Sequence, residues 1–437
     1  MKKLHWMMTV LFVAMMSFGA DWYVSATTGS KKGDGSKEKP LKNIWKAIES
    51  AAPMDTIHVA EGNYHGKLAC GWIEIDKPLT IIGGYAPDFS SRDIAAHQTL
   101  LRPTNEQNAT KPPMDKGTLA VHYTQVYPNA VLVIDGLFLD HGDANSYHPT
   151  KGKPDGVDTG MWLEPPAKGN TPYASINGYM FNAIGPNQTG DVIIKNCVFL
   201  NSSNIALNLH HREGNVIIQN NLFINSRMIA ANVLSDNAKN DMVTFDFSYN
   251  TVLFNWSRTS ELSDMGYGVR ANAKVISKIH HNILGLSIMS GFDNTKGDDK
   301  TKQLFLDNNM FFLNKKADAS FTVSPSIKFL MVDDEAFEDI EDFTGVKSCE
   351  DNVSLKEAGA FKDVIDQAYL AAFLSANYSE TTDFDPNSPA NTFRELMGMN
   401  KVGTITTKVS MFCNRYPADK VCGFFGAIQG YGAQAIK

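Results

Sequence analysis

The stretch Val192-Ile-Ile-Lys-Asn-Cys-Val-Phe199 is followed by a near copy of itself, Val216-Ile-Ile-Gln-Asn-Asn-Leu-Phe223. Each copy consists of a short apolar segment, a polar bend and a second apolar segment. Further copies of this form occur along the chain at Leu79–Tyr85 (degenerate), Val131–Phe138, Phe245–Val252, Ser277–Leu284 and Leu304–Phe311. From Cys197 through Asn221, Asn250 and Asn282 to Asn309, the polar bend returns at steps of 24, 29, 32 and 27 residues, which indicates a repeat architecture.

This repeat predicts how the chain is folded. Apolar segments of about three to five residues, joined by loops of variable length, are typical of a coil of parallel strands in which each turn stacks on the last. A globular α/β domain needs helical patterns between its strands, and residues 190–312 contain none. We therefore predict an all-β solenoid.

A second set of residues lies near the N-terminus. Tyr23–Ser30, Gly33-Asp-Gly-Ser36, Asp55-Thr-Ile-His-Val59 and Gly62-Asn-Tyr64, together with the repeats, resemble right-handed parallel β-helix proteins of the pectate-lyase-like superfamily, many of them secreted by bacteria. The resemblance implies a right-handed single-stranded parallel β-helix. It also implies an active site, where there is one, on the outer face of one strand column.

The ends of the coil are predicted to be covered. Ile44, Ala47, Ile48 and Ala51 share one face of a helix over 41–51, which suits a plug on the first turn. We place the coil with this cap at residues 20–315 and a C-terminal capping region, packed on the coil, at 316–437.

The C-terminal region itself is expected to be mixed in structure. Glu357–Leu374 has the pattern of an amphipathic helix. Its predicted inward residues are Phe361, Ile365, Ala368 and Phe373.

The first residues indicate export. Lys2 and Lys3 precede an uncharged stretch, Leu4–Ala20, that is short for a membrane span and suits a signal peptide. We predict a signal peptide at 1–19, secretion to the periplasm or the exterior, and no membrane contact once it is removed. An uncleaved anchor is the alternative.

Composition excludes several classes of protein. The 437 residues are 43% hydrophobic, which is ample for a core. Lys plus Arg number 40 against 47 for Asp plus Glu, giving −7 without a long basic run, so we expect no nucleic-acid partner. Five cysteines without a CxxC pair exclude a disulfide scaffold, although Cys413 and Cys422 are close enough in sequence to bridge.

The asparagines at the repeated bend, Asn221, Asn250, Asn282 and Asn309, are interpreted as structural. Stacked asparagines satisfy backbone groups and tolerate left-handed geometry. His280 and His281 share this bend and receive the same interpretation.

A better candidate site follows each bend, on a third strand. We align Gly160–Glu164, Ala206–His210, Ala230–Leu234, Gly268–Asn272 and Gly285–Met289. Alternation along a strand directs Leu207, Leu209, Ala231, Val233, Val269, Ala271, Leu286 and Ile288 inward. Two outward columns remain: Trp162, Asn208, Asn232, Arg270, Ser287, and beside it Glu164, His210, Leu234, Asn272, Met289.

Flanking loops add charge to this face. His211, Arg212 and Glu213 are expected on one side, and Arg227, Arg258, Glu261 and Asp264 on the other. The arginines would form a local basic cluster suited to an anionic polymer, because guanidinium offers forked donors to carboxylate. Pairing of these arginines with the neighbouring acids is the alternative. Trp162 and Trp256 are candidate platforms for stacking on sugars.

The predicted chemistry is β-elimination on a uronate-containing, acidic polysaccharide. This reaction needs neutralisation of the carboxylate, a base and a proton donor. Asn208, Asn232 and Arg270 would hold the carboxylate, and His210 or His211 would act as base. Arg270 is kept as either base or clamp. Asn272, Trp162, Arg212, Arg227 and Arg258 complete the predicted binding residues.

The remaining predictions concern cofactors and alternatives. Calcium is possible through Glu164 and Asp158, which offer hard oxygen ligands, and no organic cofactor is expected. We expect a monomer. A β-helix glycoside hydrolase and a non-catalytic surface or carbohydrate-binding β-helix stay open, because a fold alone does not establish catalysis.

Overall fold

The structure, a computed structural model, describes residues 19–66, 73–102, 117–142, 179–235, 243–256, 266–296, 301–355, 359–377, 384–403 and 415–436. Short strands that stack into long parallel sheets are the dominant regular structure of these residues. The predicted all-β parallel β-helix is therefore confirmed.

The strands are numbered in chain order. The first are β1 (Asp21–Val24), β2 (Thr56–Ala60), β3 (Gly62–Tyr64), β4 (Ile73–Ile75), β5 (Thr80–Tyr85), β6 (Thr99–Leu101), β7 (Leu119–Val121), β8 (Val131–Asp135) and β9 (Leu137–Asp140). The middle strands are β10 (Phe181–Ala183), β11 (Asp191–Lys195), β12 (Val198–Ser202), β13 (Leu207–His211), β14 (Asn215–Gln219), β15 (Leu222–Ser226), β16 (Ile229–Ser235), β17 (Val243–Ser248), β18 (Thr251–Asn255) and β19 (Tyr267–Arg270). The last are β20 (Val275–His280), β21 (Ile283–Ser287), β22 (Ser290–Asn294), β23 (Gln303–Asp307), β24 (Met310–Phe312), β25 (Ala317–Val323), β26 (Ser326–Leu330), β27 (Val346–Ser348) and β28 (Val353–Ser354).

From β2 to β25, every third strand joins the same sheet. Sheet 1 has the order β1-β2-β5-β8-β11-β14-β17-β20-β23-β27, sheet 2 the order β3-β6-β9-β12-β15-β18-β21-β24-β28, and sheet 3 the order β4-β7-β10-β13-β16-β19-β22-β25-β26. Neighbouring strands are parallel, except that β26 returns antiparallel to β25. One turn of the coil thus contributes one strand to each sheet.

The sequence repeats coincide with this geometry. Val192 lies opposite Val216, and Val216 opposite Phe245, so equivalent repeat positions are neighbours on adjacent turns. Inward residues stack in the same way: the rings of Phe199 and Phe223 are 4.6 Å apart and 3° from parallel. Burial of these columns supplies the main stabilisation of the coil.

The N-terminal helix is shorter than predicted. Helix α1 covers Ile44–Ser50. Ile44, Ala47, Ile48 and Ala51 are buried in the same hydrophobic core as the inward residues of the coil, as their spacing predicted.

The coil extends beyond the boundary predicted at residue 315. Strand β27 pairs with β23, and β28 pairs with β24, so sheets 1 and 2 each gain a strand from residues 346–354. These strands were missed because they are only two or three residues long.

The C-terminal residues cover the outer face of sheet 2. The helices α2 (Gly359–Val364), α3 (Gln367–Asn377) and α4 (Pro389–Leu396) pack there with the segment 415–436, and 3₁₀ turns lie at Glu335–Asp342 and Val421–Phe424. Leu286 and Ile288, predicted to point into the coil, belong to this outer hydrophobic layer instead. An apolar side chain is buried on either face of a sheet once a second layer covers it.

The single helix predicted over Glu357–Leu374 is divided in two. Asp366 lies between α2 and α3, and its Oδ1 accepts a hydrogen bond from the Tyr369 backbone at 2.7 Å, which starts the second helix. This break shifts the helical phase. Phe361, Ile365 and Phe373 are buried as predicted, but Ala368 is exposed and Tyr369 and Leu370 point inward.

Two further observations concern the whole chain. Among the helices that the structure describes, none has the length and apolarity needed to span a membrane. Cys422 carries a free thiol, and Cys413, considered as its disulfide partner, lies outside the described residues.

Candidate functional site

The bend asparagines form a continuous hydrogen-bonded row, here called the bend ladder: Asn221, Asn250, Asn282, Asn309 and Asn352. The Oδ1 of Asn250 accepts from both the backbone N–H and the Nδ2 of Asn221, at 2.9 and 3.0 Å. Its Nδ2 donates to Ile218 O and to Asn282 Oδ1. The donors and acceptors of the Asn250 amide are therefore all bonded to other groups of the protein, as a structural role requires.

A second row of asparagines lies on the outward face of sheet 3 and is here called the face ladder. It consists of Asn182, Asn208, Asn232 and Asn272. The Nδ2 of Asn208 donates to Asn182 Oδ1 at 2.9 Å, that of Asn232 to Asn208 Oδ1 at 2.9 Å, and that of Asn272 to Asn232 Oδ1 at 3.0 Å. Asn208 and Asn232 thus lie in one column on adjacent turns, as predicted.

The face ladder differs from the bend ladder in what it satisfies. Asn208 and Asn232 each use one N–H and one oxygen within the row, and within the described part of the chain the second N–H of each donates to nothing. Because the amide is planar, that N–H points away from Cβ, outward from the sheet. A nearly buried N–H in this position calls for a water or ligand acceptor.

Arg270 continues the column of Asn208 and Asn232. Asn232 lies opposite Arg270, and Arg270 lies opposite Asp293 on β22. The Nε of Arg270 donates to Asp293 Oδ2, and its guanidinium lies 5.0 Å from the centre of the Tyr267 ring. Arg270 therefore has the predicted position, but its guanidinium is paired with the fully buried carboxylate of Asp293.

The prediction for the next turn was wrong. Ser287 belongs to β21 of sheet 2, and the position beside Arg270 is taken by Asp293. Gly285–Met289 and Ser290–Asn294 both alternate, but the left-handed φ of Leu286, 54°, bends the chain inside the first segment. Met289 consequently packs with Ile229 and Tyr267, the first residues of the sheet 3 strands β16 and β19.

The two adjacent histidines of β13 lie in different surroundings. His210 faces outward beside the face ladder and is half-buried. His211 was predicted on a flanking loop but lies at the end of the strand, 1% exposed, with Nε2 2.7 Å from Gly190 O. Burial lowers the pKa of His211. Because side chains alternate along a strand, the two histidines point to opposite faces, and only His210 lies on the outer face of sheet 3.

Arg227 was predicted to bind substrate and lies elsewhere. Its side chain is fully buried, and its guanidinium lies 4.6 Å from the centre of the Trp256 ring. Trp256, a predicted sugar platform, is also buried and donates from Nε1 to Asn225 Oδ1 at 2.7 Å. Neither side chain reaches the outer face of sheet 3, because both follow strands of sheet 2 at its turn toward sheet 3.

The three arginines that the structure describes, Arg212, Arg227 and Arg270, do not come together in the predicted cluster. Arg212 is half-buried just after β13, with its backbone N–H donating to Gln188 O at 2.9 Å. Arg227 is inside the molecule and Arg270 is paired. Other predicted residues lie outside the described residues: Trp162, Arg258, Glu261, Asp264, Asp158 and Glu164. Gly160–Glu164 was aligned beside β13, but that place in sheet 3 is occupied by β10.

Sequence reasoning missed three contributors to this face. Asn182 begins the face ladder, yet its strand has only three residues and no repeat signature. Glu74 and His122 extend the face toward the N-terminus, with Glu74 Oε1 3.6 Å from His122 Nδ1 and both side chains well exposed. Their signal was weak because the first turns carry degenerate repeats.

Among the described residues, no group of three or more His, Cys, Asp and Glu side chains is arranged to hold a metal ion. The two predicted calcium ligands lie outside those residues, so nothing here places calcium on this face.

Comparison with known proteins adds little beyond the fold. A family described as "Protein of unknown function (DUF1565)" matches residues 27–87. This match and the three long parallel sheets agree with a parallel β-helix. No curated protein and no solved structure matches the chain.

Proposed function

We propose that this protein is exported and binds an acidic, uronate-containing polysaccharide along the outer face of sheet 3, where it cleaves the polymer by β-elimination. The observation that carries the proposal is the unused outward N–H of Asn208 and Asn232. Adjacent turns place these donors about 4.8 Å apart. A row of outward donors on a regular spacing suits a polymer with acceptors in every unit.

The chemistry follows from three groups on this face. Hydrogen bonds from Asn208 and Asn232 to the uronate carboxylate would withdraw charge from it and acidify the neighbouring carbon. The Arg270 guanidinium adds positive charge. The Asp293 carboxylate partly offsets this charge and holds the guanidinium in place. Arg270 is thus assigned as a clamp.

His210 is assigned as the base: it takes the proton from the carbon next to the carboxylate as the bond to the glycosidic oxygen breaks, and the leaving oxygen takes up a proton from water. An imidazole titrates near neutral pH and can take a proton from carbon, whereas a guanidinium stays protonated. His210 lies on the same strand as Asn208 and two residues from it, so both side chains face the same way. His211 faces the opposite way and is given no catalytic role.

A hydrolase is less well supported. Glycoside hydrolysis uses two carboxyl groups flanking the bond. In the described part of this face, Asp293 is fully buried and paired with Arg270, while Glu74 lies several turns away. Binding without catalysis stays the second candidate, since the face ladder alone would support it.

The proposal is tested with a panel of alginate, pectate, glycosaminoglycans and ulvan. We expect a new near-ultraviolet absorbance from an unsaturated product on one of them. His210→Ala should abolish that absorbance while the polymer is still retained, and His97→Ala, which changes a histidine paired with Glu61, should not. Retention without product for the unaltered protein would support binding only, and reducing ends without absorbance would support hydrolysis.

A further inference from the structure

Two adjacent histidines meet at the corner between sheets 1 and 2, away from the outer face of sheet 3. His280 ends β20, and His281 occupies the bend that follows. Their Nδ1 atoms are 3.0 Å apart, and their rings are nearly perpendicular, at 87°. Two like nitrogens at this distance share one proton, because one must donate and the other accept.

This separation is the one that a metal ion imposes on two neighbouring ligands. With metal–nitrogen bonds of about 2.0–2.1 Å, two nitrogens at a right angle lie about 2.9 Å apart. A metal ion can therefore replace the shared proton with little change in the distance between the two Nδ1 atoms. The change required is a turn of the rings that points both lone pairs at one site.

The surroundings favour this arrangement. Asp246 Oδ1 lies 3.5 Å from the other nitrogen of His280, Nε2. A carboxylate on the far nitrogen keeps the proton there and leaves Nδ1 free to bind a metal. The His281 ring is held on its other side by stacking on Tyr249, at 4.8 Å. The His280 side chain is about one-third exposed, so it has room to turn.

We propose that His280 and His281 bind a late first-row divalent transition-metal ion through their Nδ1 atoms, with Asp246 as the carboxylate that orients His280. Water completes the coordination. Imidazole nitrogens suit such ions, and affinity rises along the series to Cu²⁺. The site is independent of the polysaccharide-binding face.

The experiment is a titration of the purified protein with Cu²⁺ and, separately, Ni²⁺ by calorimetry, with electron paramagnetic resonance of the Cu²⁺ form. We expect one tight equivalent and hyperfine splitting from two nitrogens. His281→Asn is the main variant. Asn196, Asn220 and Asn308 adopt a positive φ like that of His281, so asparagine keeps this bend folded. It should remove the tight equivalent, and His280→Ala should do the same.

Two further variants make the result decisive. Asp246→Ala should weaken binding about ten-fold, as expected for a residue that orients a ligand. His97→Ala, at a histidine paired with Glu61, should leave the titration unchanged. A tight equivalent that persists in His281→Asn, or an unaltered protein that binds none, would overturn the proposal.

Discussion

The amide of Asn232 donates to Asn208 on the preceding turn at 2.9 Å, and both side chains face outward from sheet 3. At the bend, Asn221 donates to Asn250 at 3.0 Å with the same chemistry, but there the receiving oxygen also accepts a backbone N–H. The same residue type therefore stabilises the backbone in one row, and in the other it leaves an N–H that no described residue accepts.

Interrupting the bend ladder should lower the free energy of unfolding strongly. Asn250→Ala removes hydrogen bonds with the Asn221 backbone, the Ile218 carbonyl and two neighbouring amides, all buried. Since each buried group left unsatisfied costs about 1–3 kcal/mol, we expect a loss of at least about 3 kcal/mol in the free energy of unfolding. Denaturant unfolding monitored by circular dichroism measures it.

The face ladder should behave in the opposite way. Asn232→Ala leaves no backbone group of the described chain unsatisfied, so we expect a loss of about 1 kcal/mol in unfolding free energy. Retention of acidic polysaccharide should fall markedly. A large loss of stability with unchanged retention would show that the face ladder is structural.

The difference between the two ladders was only partly predictable. The bend asparagines recur at one position of a clear repeat, so their stacking followed from spacing alone. Asn208 and Asn232 were correctly placed on an outward column because alternation in a strand is reliable. Asn182 was not found, because its strand, β10, has only three residues and resembles no repeat.

Arg270 is expected to be a structural as well as a functional residue. Arg270→Ala leaves Asp293, which is fully buried, without its guanidinium partner. Breaking a buried ion pair costs about 3–5 kcal/mol, so we expect a strong loss of stability. Lost activity in this variant would therefore say nothing about catalysis.

A double variant separates the two effects. Arg270→Met with Asp293→Asn removes both charges and keeps an oxygen for the two Thr295 donors, so it should recover most of the lost stability. If the double variant is no more stable than Arg270→Ala in the same unfolding experiment, the ion pair is not the source of the loss.

His141 should make the fold sensitive to acid. Its ring lies between Thr118 Oγ1, 2.9 Å from Nε2, and Ser203 Oγ, 3.1 Å from Nδ1. Burial, together with the nearby Arg227 guanidinium, lowers the pKa of His141 from 6.5 to about 3. Its folded pKa is depressed, so the unfolded chain binds the proton more readily, and stability falls as pH falls below about 6.5.

The measurement is the unfolding free energy between pH 7 and pH 5. His141→Gln retains a polar side chain but cannot take up the proton, so its stability should fall less over this interval. Equal slopes for the two proteins would contradict the assignment.

Asp318 should have the opposite effect on the pH dependence of stability, favouring the folded state at low pH. Burial raises the pKa of its carboxyl from 3.8 to about 6, against hydrogen bonds from Asn314 and the Val332 backbone. The protonated form is favoured on folding, so this contribution is present below about pH 4 and is lost as pH rises through about 6. Asp318→Asn should remove it, and an unchanged slope between pH 4 and 6 would count against it.

Errors in the predicted site have a common physical cause. Arg227 was placed on an outer face, and Leu286 inside the coil, because a repeat pattern shows which residues alternate but not what covers them. The C-terminal layer on sheet 2 buries Leu286, and the turn around Trp256 buries Arg227. Only the packing of distant segments of the chain decides these positions.

We propose that the outer face of sheet 3 binds and cleaves an acidic polysaccharide. The most direct measurement is the near-ultraviolet absorbance of polymer incubated with the protein and, in parallel, with His210→Ala and Asn208→Ala. We predict that the absorbance rises with the unaltered protein, that His210→Ala gives none while still binding polymer, and that Asn208→Ala binds weakly. Equal product formation by all three proteins would contradict the account.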